Sequence, residues 1–192
     1  MNQIKWILGS QSPRRKELLA GIGIDFEVRI KDTEEIYPET LAVEKVPEFL
    51  ATLKAQALLP ELEANEAVIC ADTVVILDGE ILGKPLDPTD AGKMLSRLSG
   101  KTHTVITGVF IGSKYKSASF SDRTEVQFEN LTEEEISYYI DQYKPFDKAG
   151  SYGVQEWIGY IAVKHMSGTY TNVMGLPTHK LYREIQRFVT SI

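Results

Sequence analysis

Residues 67–77 read Ala-Val-Ile-Cys-Ala-Asp-Thr-Val-Val-Ile-Leu, and no other segment constrains the fold as much. Their near-continuous apolar character predicts a strand buried on both faces, as in α/β proteins whose sheet is covered by helices. Asp72 interrupts the run. A carboxylate there is costly unless a cation, a metal or hydrogen-bond donors stand nearby, or the strand emerges into a cleft. The plainer alternative is a structural Asp at a bulge or turn. Carboxylates with perturbed environments are common catalytic groups, so Asp72 is the candidate acid–base residue.

Strand and helix signals alternate towards both ends of the chain, and hairpin signals fill the middle. A first strand is expected over 4–9. Ser12 then caps a helix with Pro13 at its first position, stopped by Gly21 and Gly23. A short edge strand follows over 25–31, then a charged loop, Asp32 to Glu35. A second helix starts near Pro47, buries Phe49, Leu50, Leu53 and Ala57, and ends at Pro60. After the long strand, Asp78-Gly79 marks a hairpin turn into 80–82. Asp87 caps a helix from Pro88 to Gly100. Strands are expected over 103–111 and 117–128. Thr132 and Glu135 form a capping box for a helix that ends before Pro145. A late strand is read over 160–164, and Pro177 opens a last helix with Leu181, Ile185 and Phe188 on one face. With no repeat, low-complexity stretch or linker, the reading is one domain over 1–192, built on a mixed α/β sheet.

Charge and cysteine content narrow the function. The 192 residues carry 21 Lys and Arg against 27 Asp and Glu, a net charge of −6. No global basic field exists to hold a nucleic-acid polymer, so a small anion needs a local basic site. The single cysteine, Cys70, excludes an internal disulfide and a cysteine-cluster metal centre. No apolar run approaches the roughly 18 residues of a membrane span. The start, Met1 to Lys5, has no apolar stretch of signal-peptide length behind it, so a cytoplasmic protein is expected.

Such a basic site stands at Ser10-Gln11-Ser12-Pro13-Arg14-Arg15-Lys16. Three cations occupy the first turn of a helix, where the backbone already presents unpaired N–H groups and partial positive charge. Two hydroxyls and two guanidiniums there suit a phosphate, against the bland reading of a basic surface turn. Lys84, held between Gly83 and Pro85, is a weaker candidate for the same work. His103 has no visible partner and is read as structural. The loop from Phe146 to Gln155 has the glycines and the aromatic to hold a base by stacking and amide hydrogen bonds. Asn172 to Pro177 is either a helix cap or a second pocket wall. Leu95 stands where a phosphate-binding GxxxxGK[ST] loop ending at Thr102 would need glycine, and neither GxGxxG, HExxH nor GxSxG occurs.

Six segments together resemble the Maf family of nucleoside triphosphate pyrophosphatases, also called septum-formation inhibitor proteins. They are SQSPRRKELL at 10–19, ADTVV at 71–75, GKP at 83–85, SGKTHTVITG at 99–108, DKAGSYGVQ at 147–155 and NVMGLP at 172–177. The fifth is similar to the branch acting on dTTP and UTP. The resemblance implies hydrolysis between the α- and β-phosphates to a nucleoside monophosphate and pyrophosphate, with Mg or Mn. It implies a mixed twisted sheet with flanking helices, and two lobes around a central cleft as in inosine triphosphate pyrophosphatase. Asp72 matches the proton acceptor. Arg14, Arg15 and Lys84 match phosphate-handling positions, Lys54 a helical lysine, and Glu35 an acidic loop residue that could hold the metal, with Asp72 a second candidate ligand. Arg15, Thr73 and Gln155 match specificity positions, and Ser10 and Ser12 complete the substrate-binding set. Gly9 departs from the commoner Ala before Ser10. The expected partner is a small nucleoside triphosphate, with neither nucleic-acid polymer nor membrane, and a homodimer is compatible. Alternatives are a non-catalytic nucleotide-binding regulator of septum formation and a purine-specific or 7-methyl-GTP pyrophosphatase.

Overall fold

The computed structural model describes residues 4–190. The expectation about the leader falls partly on Met1 to Gln3, outside the described residues. In chain order the elements begin with β1 (Lys5–Leu8), α1 (Pro13–Gly21), β2 (Phe26–Val28), α2 (Val46–Leu58) and β3 (Glu66–Leu77). Then come β4 (Glu80–Leu82), α3 (Pro88–Leu98), β5 (Thr102–Gly112), β6 (Ser117–Phe128) and α4 (Glu133–Tyr143). The chain ends with α5 (Trp157–Ala162), β7 (Val163–Ser167), α6 (Tyr170–Met174) and α7 (Thr178–Thr190). The strand order is β2-β1-β3-β5-β6-β7, with β4 paired to β3. β1 runs parallel to β2 and β3, while β4 on β3 and β7 on β6 are antiparallel, so the expected mixed α/β sheet is present. Among the described residues no helix is long and apolar enough to cross a membrane.

Packing divides the chain into two compact units. The first takes in the chain up to Asp72, Thr107–Asp122 and the chain from Gly175. Its strands are covered on both faces, which explains why the 67–77 run lacks polar alternation. Ala67, Ile69 and Ala71 pack with Leu19 of α1 and Leu181, Ile185 and Phe188 of α7. Val68, Cys70 and Ile7 point the other way, onto Ala51, Ala55 and Leu58 of α2. Each fully buried Leu or Ile contributes about 1.5–3 kcal/mol. Two glycines permit close approach here. A Cβ at Gly108 would stand 2.2 Å from the backbone nitrogen of Glu48, so β5 passes directly against the start of α2. A Cβ at Gly9 would stand 2.4 Å from Cys70 Sγ and 3.0 Å from Leu58 Cδ1. Glu66 opens β3 almost completely buried, its two oxygens each 2.9 Å from an Arg29 nitrogen. Arg29 in the first place holds that carboxyl down at about 2.

The second unit comprises Thr73–Ile106 and Arg123–Met174. Asp78 and Gly79 both take positive φ (53° and 83°), the mark of a tight hairpin turn between β3 and β4. Asp87 Oδ1 accepts the Asp90 N–H at 2.8 Å to start α3, and the Thr132–Glu135 capping box starts α4. Gly100 leaves α3 with φ 68°. His103, Phe128 and Tyr152 form a buried edge-on ring cluster, with His103 Nε2 2.7 Å from the Tyr152 hydroxyl.

Several local expectations need correction. Tyr160 to Ala162 belong to α5, and the last strand is Val163–Ser167. Gly159 lets that helix form, because a Cβ there would stand 1.8 Å from the Val154 carbonyl oxygen. The buried stripe of α2 is Leu50, Ala51, Ala55 and Leu58, while Phe49 is exposed and Ala57 half-buried. The sequence reading missed the helix phase because alanines, not large residues, meet the sheet. Pro177 precedes α7 and accepts the Leu181 N–H at 3.0 Å.

Candidate active site

In the first unit the start of α1 is organised by its own side chains. Ser12 caps the helix by accepting the Arg15 N–H at 3.4 Å. Ser10 Oγ accepts the Ser12 N–H and an Arg15 Nη1 hydrogen, each at 3.3 Å. Arg15 Nε donates to the Gly175 carbonyl at 2.9 Å, which gives the NVMGLP segment a direct role in aiming this guanidinium. Burial pushes Arg15 below its ordinary value, the negative charge of Asp72 opposes that, and Arg14 adds to it. Arginine keeps its proton in proteins, so the result is a partly buried cation at a helix start.

Strand phase explains what meets Asp72. It shares the even-numbered face of β3 with Val68 and Cys70, the face that packs on α2. Lys54 lies three residues after Ala51 on α2 and one before Ala55, beside the stripe that faces this strand. Its Nζ stands 2.5 Å from Asp72 Oδ1 and 3.1 Å from Glu35 Oε1. The Asp72 and Lys54 side chains are 12% and 18% exposed, whereas Glu35 is 48% exposed. Asp72 is therefore not an orphan, because a cation stands against it. Asp72, Lys54, Glu35, Arg15, Ser10 and Ser12 lie in one unit, with Arg14 beside Arg15. Cys70, fully buried, has its thiol pushed up to about 12 by burial and is inert.

Lys84, Thr73 and Gln155 lie in the second unit. Thr73 follows Asp72 along β3 and is half-buried. Lys84 is exposed, in a turn whose Gly83 carbonyl accepts the Gly150 N–H at 3.0 Å. That bond joins the GKP segment to the loop of residues 147–155. The loop is tightly shaped: Gly150 has φ 67° and Ser151, fully buried, φ 62°. A Cβ at Gly150 would stand 3.0 Å from the Val75 side chain. Gln155 is half-buried, and its Oε1 is buried with no hydrogen-bond partner. Leaving such an acceptor bare costs about 1–3 kcal/mol. The expectation that the loop's aromatic could stack on a base is corrected: Tyr152 is 6% exposed and packs on His103 and Phe128. The reading of His103 as a structural residue fits its 2% exposure.

Sequence reasoning missed a polar network around this loop. The fully buried Tyr139 donates its hydroxyl to Glu156 Oε2 and accepts the Gly153 N–H at 3.0 Å. Lys148 Nζ stands 3.1 Å from Glu156 Oε1 and 2.7 Å from Asp147 Oδ1. The only advance signal was the placing of Tyr139 beside Ile136 and Ile140 on the buried face of α4.

The family model described as Maf-like protein matches residues 5–188. The chain belongs to the Maf family. This Maf-like chain is 51% identical over 191 residues to a dTTP/UTP pyrophosphatase of Porphyromonas gingivalis, covering 98% of this chain and 96% of that one. It is 53% identical over 188 residues to a protein of the same name from Phocaeicola vulgatus, covering 97% of each. Another from Flavobacterium psychrophilum is 52% identical over 178 residues, 93% of this chain and 91% of that one. Among solved structures, a nucleoside-triphosphatase (dITP/XTP pyrophosphatase) of Mycobacterium abscessus aligns with 98% of the Maf-like chain and 97% of its own. That alignment has a TM-score of 0.48 and 15% identity.

Proposed function

We propose that this chain hydrolyses dTTP and UTP to the nucleoside monophosphate and pyrophosphate, removing them from the nucleotide pool of the cytoplasm. The observation that carries this reading is identity at about half of all positions, over nearly the whole chain, to proteins named for that activity. The residues supply the parts such a reaction needs. Water attacks the α-phosphorus, the bridging bond to the β-phosphate breaks, and pyrophosphate leaves. Asp72 accepts the proton from the water, its carboxylate held in place by Lys54 on Oδ1. Arg14, Arg15 and Lys84 take phosphate charge, and Ser10, Ser12 and Thr73 offer hydroxyls. Gln155 reads the base: uracil and thymine present N3–H as a donor beside O4 as an acceptor, and an amide matches both. The bare Gln155 Oε1 is the acceptor that N3–H would meet.

Magnesium or manganese is the proposed cofactor. Among the described residues no group of three or more His, Cys, Asp or Glu side chains could hold a metal alone. Glu35 and Asp72, already sharing one cation in Lys54, form a two-carboxylate set. Such a set suits a hydrated magnesium that also binds substrate phosphates, so these two would hold it. When bound it neutralises phosphate charge.

The test is pyrophosphate and monophosphate release from dTTP, UTP, CTP, ATP and GTP, with Mg, with Mn and with chelator. Hydrolysis of dTTP and UTP well ahead of the others is expected. Saturable nucleotide binding without pyrophosphate release would identify a binding regulator instead.

A further inference from the structure

We propose that Tyr139, Glu156 and Lys148 are positioning residues that set the aim of Gln155 and so govern which base is accepted. This rests on Gln155 reading the base. The backbone on either side of Gln155 is held by one buried polar network. Two residues before it, the Gly153 N–H is held by the Tyr139 hydroxyl at 3.0 Å. One residue after it, both carboxylate oxygens of Glu156 are engaged, Oε2 by Tyr139 and Oε1 by Lys148 at 3.1 Å. The Glu156 N–H closes the turn on the Gly153 carbonyl at 3.0 Å. The Gln155 amide itself rests against Gly153: a Cβ there would stand 2.9 Å from Gln155 Nε2 and 2.8 Å from Glu156 Cδ. Two side chains thus lie over one α-carbon, and the hydroxyl of Tyr139 holds that residue's amide. Burial, followed by Glu156, keeps the Tyr139 phenol above its ordinary range, so it remains a donor to the carboxylate.

The chemistry of the network argues for aim rather than adhesion. The Lys148 side chain is 9% exposed and that of Glu156 19%. A nearly buried ion pair gains little stability over apolar residues of the same volume, because desolvation offsets the attraction. What it does supply is a single geometry, since its donors and acceptors are satisfied in only one arrangement. That geometry fixes a neighbouring amide whose own acceptor is unpaired. Reading O4 and N3–H together needs the amide oriented in its plane, and small misplacements of a positioning group cost rate steeply.

The experiment measures kcat and KM for UTP and CTP, which differ at position 4 and in the protonation of N3. Four proteins are compared: wild type, Gln155→Ala, Tyr139→Phe and the Gln155→Ala/Tyr139→Phe double variant, with thermal unfolding of each. Tyr139→Phe keeps the ring and removes only the hydroxyl. Its UTP-to-CTP ratio of kcat/KM should fall on the order of 10-fold, mainly through KM for UTP, with CTP turnover little changed. In the double variant the ratio should match Gln155→Ala alone, because the two residues act through one contact. A merely structural Tyr139 would lower UTP and CTP alike and leave the ratio at the wild-type value; that overturns the proposal while the base-reader assignment stands. An unchanged ratio in Gln155→Ala overturns the base-reader assignment and the proposal with it. If Tyr139→Phe does not fold, Glu156→Gln takes its place, keeping an acceptor for Tyr139 and losing the charge that Lys148 pairs with. The same ratio shift is expected, and an unchanged ratio refutes the proposal.

Discussion

Asp72→Asn separates chemistry from architecture in a way the geometry makes quantitative. The change replaces one carboxylate oxygen by an NH2 group and alters volume hardly at all. The amide oxygen can still accept from Lys54, whose Nζ stands 2.5 Å from Asp72 Oδ1. Lys54 is not stranded either, because Glu35 remains 3.1 Å away. The loss is thus one charge-assisted bond exchanged for a neutral one, about 1 kcal/mol in a partly exposed pair. Removing a general base costs roughly 10²- to 10⁴-fold in rate, or about 3–5 kcal/mol in barrier height. The Asn variant should therefore unfold within a few degrees of wild type and still bind UTP. Pyrophosphate release should be slower by at least about 10²-fold. Pre-steady-state and steady-state release at saturating UTP, with binding by calorimetry, measure each part. Near-normal turnover of a folded Asn variant would remove Asp72 from the mechanism. Collapse of folding would show that its charge is structural.

Three further outcomes are expected. Arg14→Ala, Arg15→Ala and Lys84→Ala should each slow hydrolysis of every triphosphate on the order of 10²- to 10³-fold, measured as kcat/KM, and full activity in all three would move phosphate handling elsewhere. Gly9→Ala should destabilise by about 1–3 kcal/mol, read from urea midpoints, because its Cβ would meet Cys70 Sγ at 2.4 Å; adding Cys70→Ala should restore much of the loss. Burial lowers the His103 imidazole from 6.5 to about 4, so between those values the unfolded chain takes up a proton that the folded one refuses. Stability from this residue is complete above pH 6.5 and falls as pH drops towards 4. The loss by pH 4.5 is about 2–3 kcal/mol, and a folded His103→Phe variant should lack that component in urea melts at pH 7 and 4.5.

Much of the architecture was legible because local signals agreed with burial. The Ser12-Pro13 start, the Asp78-Gly79 turn and the Thr132–Glu135 box all hold because each satisfies its own backbone groups within a few residues. The late strand was misplaced because α5 depends on Gly159 approaching the Val154 carbonyl, a tertiary fact with no periodic trace. Of the proposed site, Asp72 announced itself by breaking an apolar run, and Arg14 and Arg15 by standing where cations are disfavoured. Lys54 and Glu35 came from resemblance alone: an exposed loop carboxylate and a lysine beside an alanine stripe look ordinary until strand phase brings Asp72 to them. The Tyr139 network was hidden because its bonds span 14 and 17 residues and join a helix to a loop.

The close passage of β5 against α2 changes how a mutational scan of this chain would read. Gly108 ends a motif that looks chemical, yet a methyl group there would meet the backbone of Glu48 at 2.2 Å, with no side chain able to yield. Thr107 and His103 in the same motif are 0% and 2% exposed. A survey scored on turnover alone would group Gly108 with Asp72. Soluble yield would part them: the glycine variants should be lost from the soluble fraction, while Asp72→Asn accumulates as an intact and idle protein.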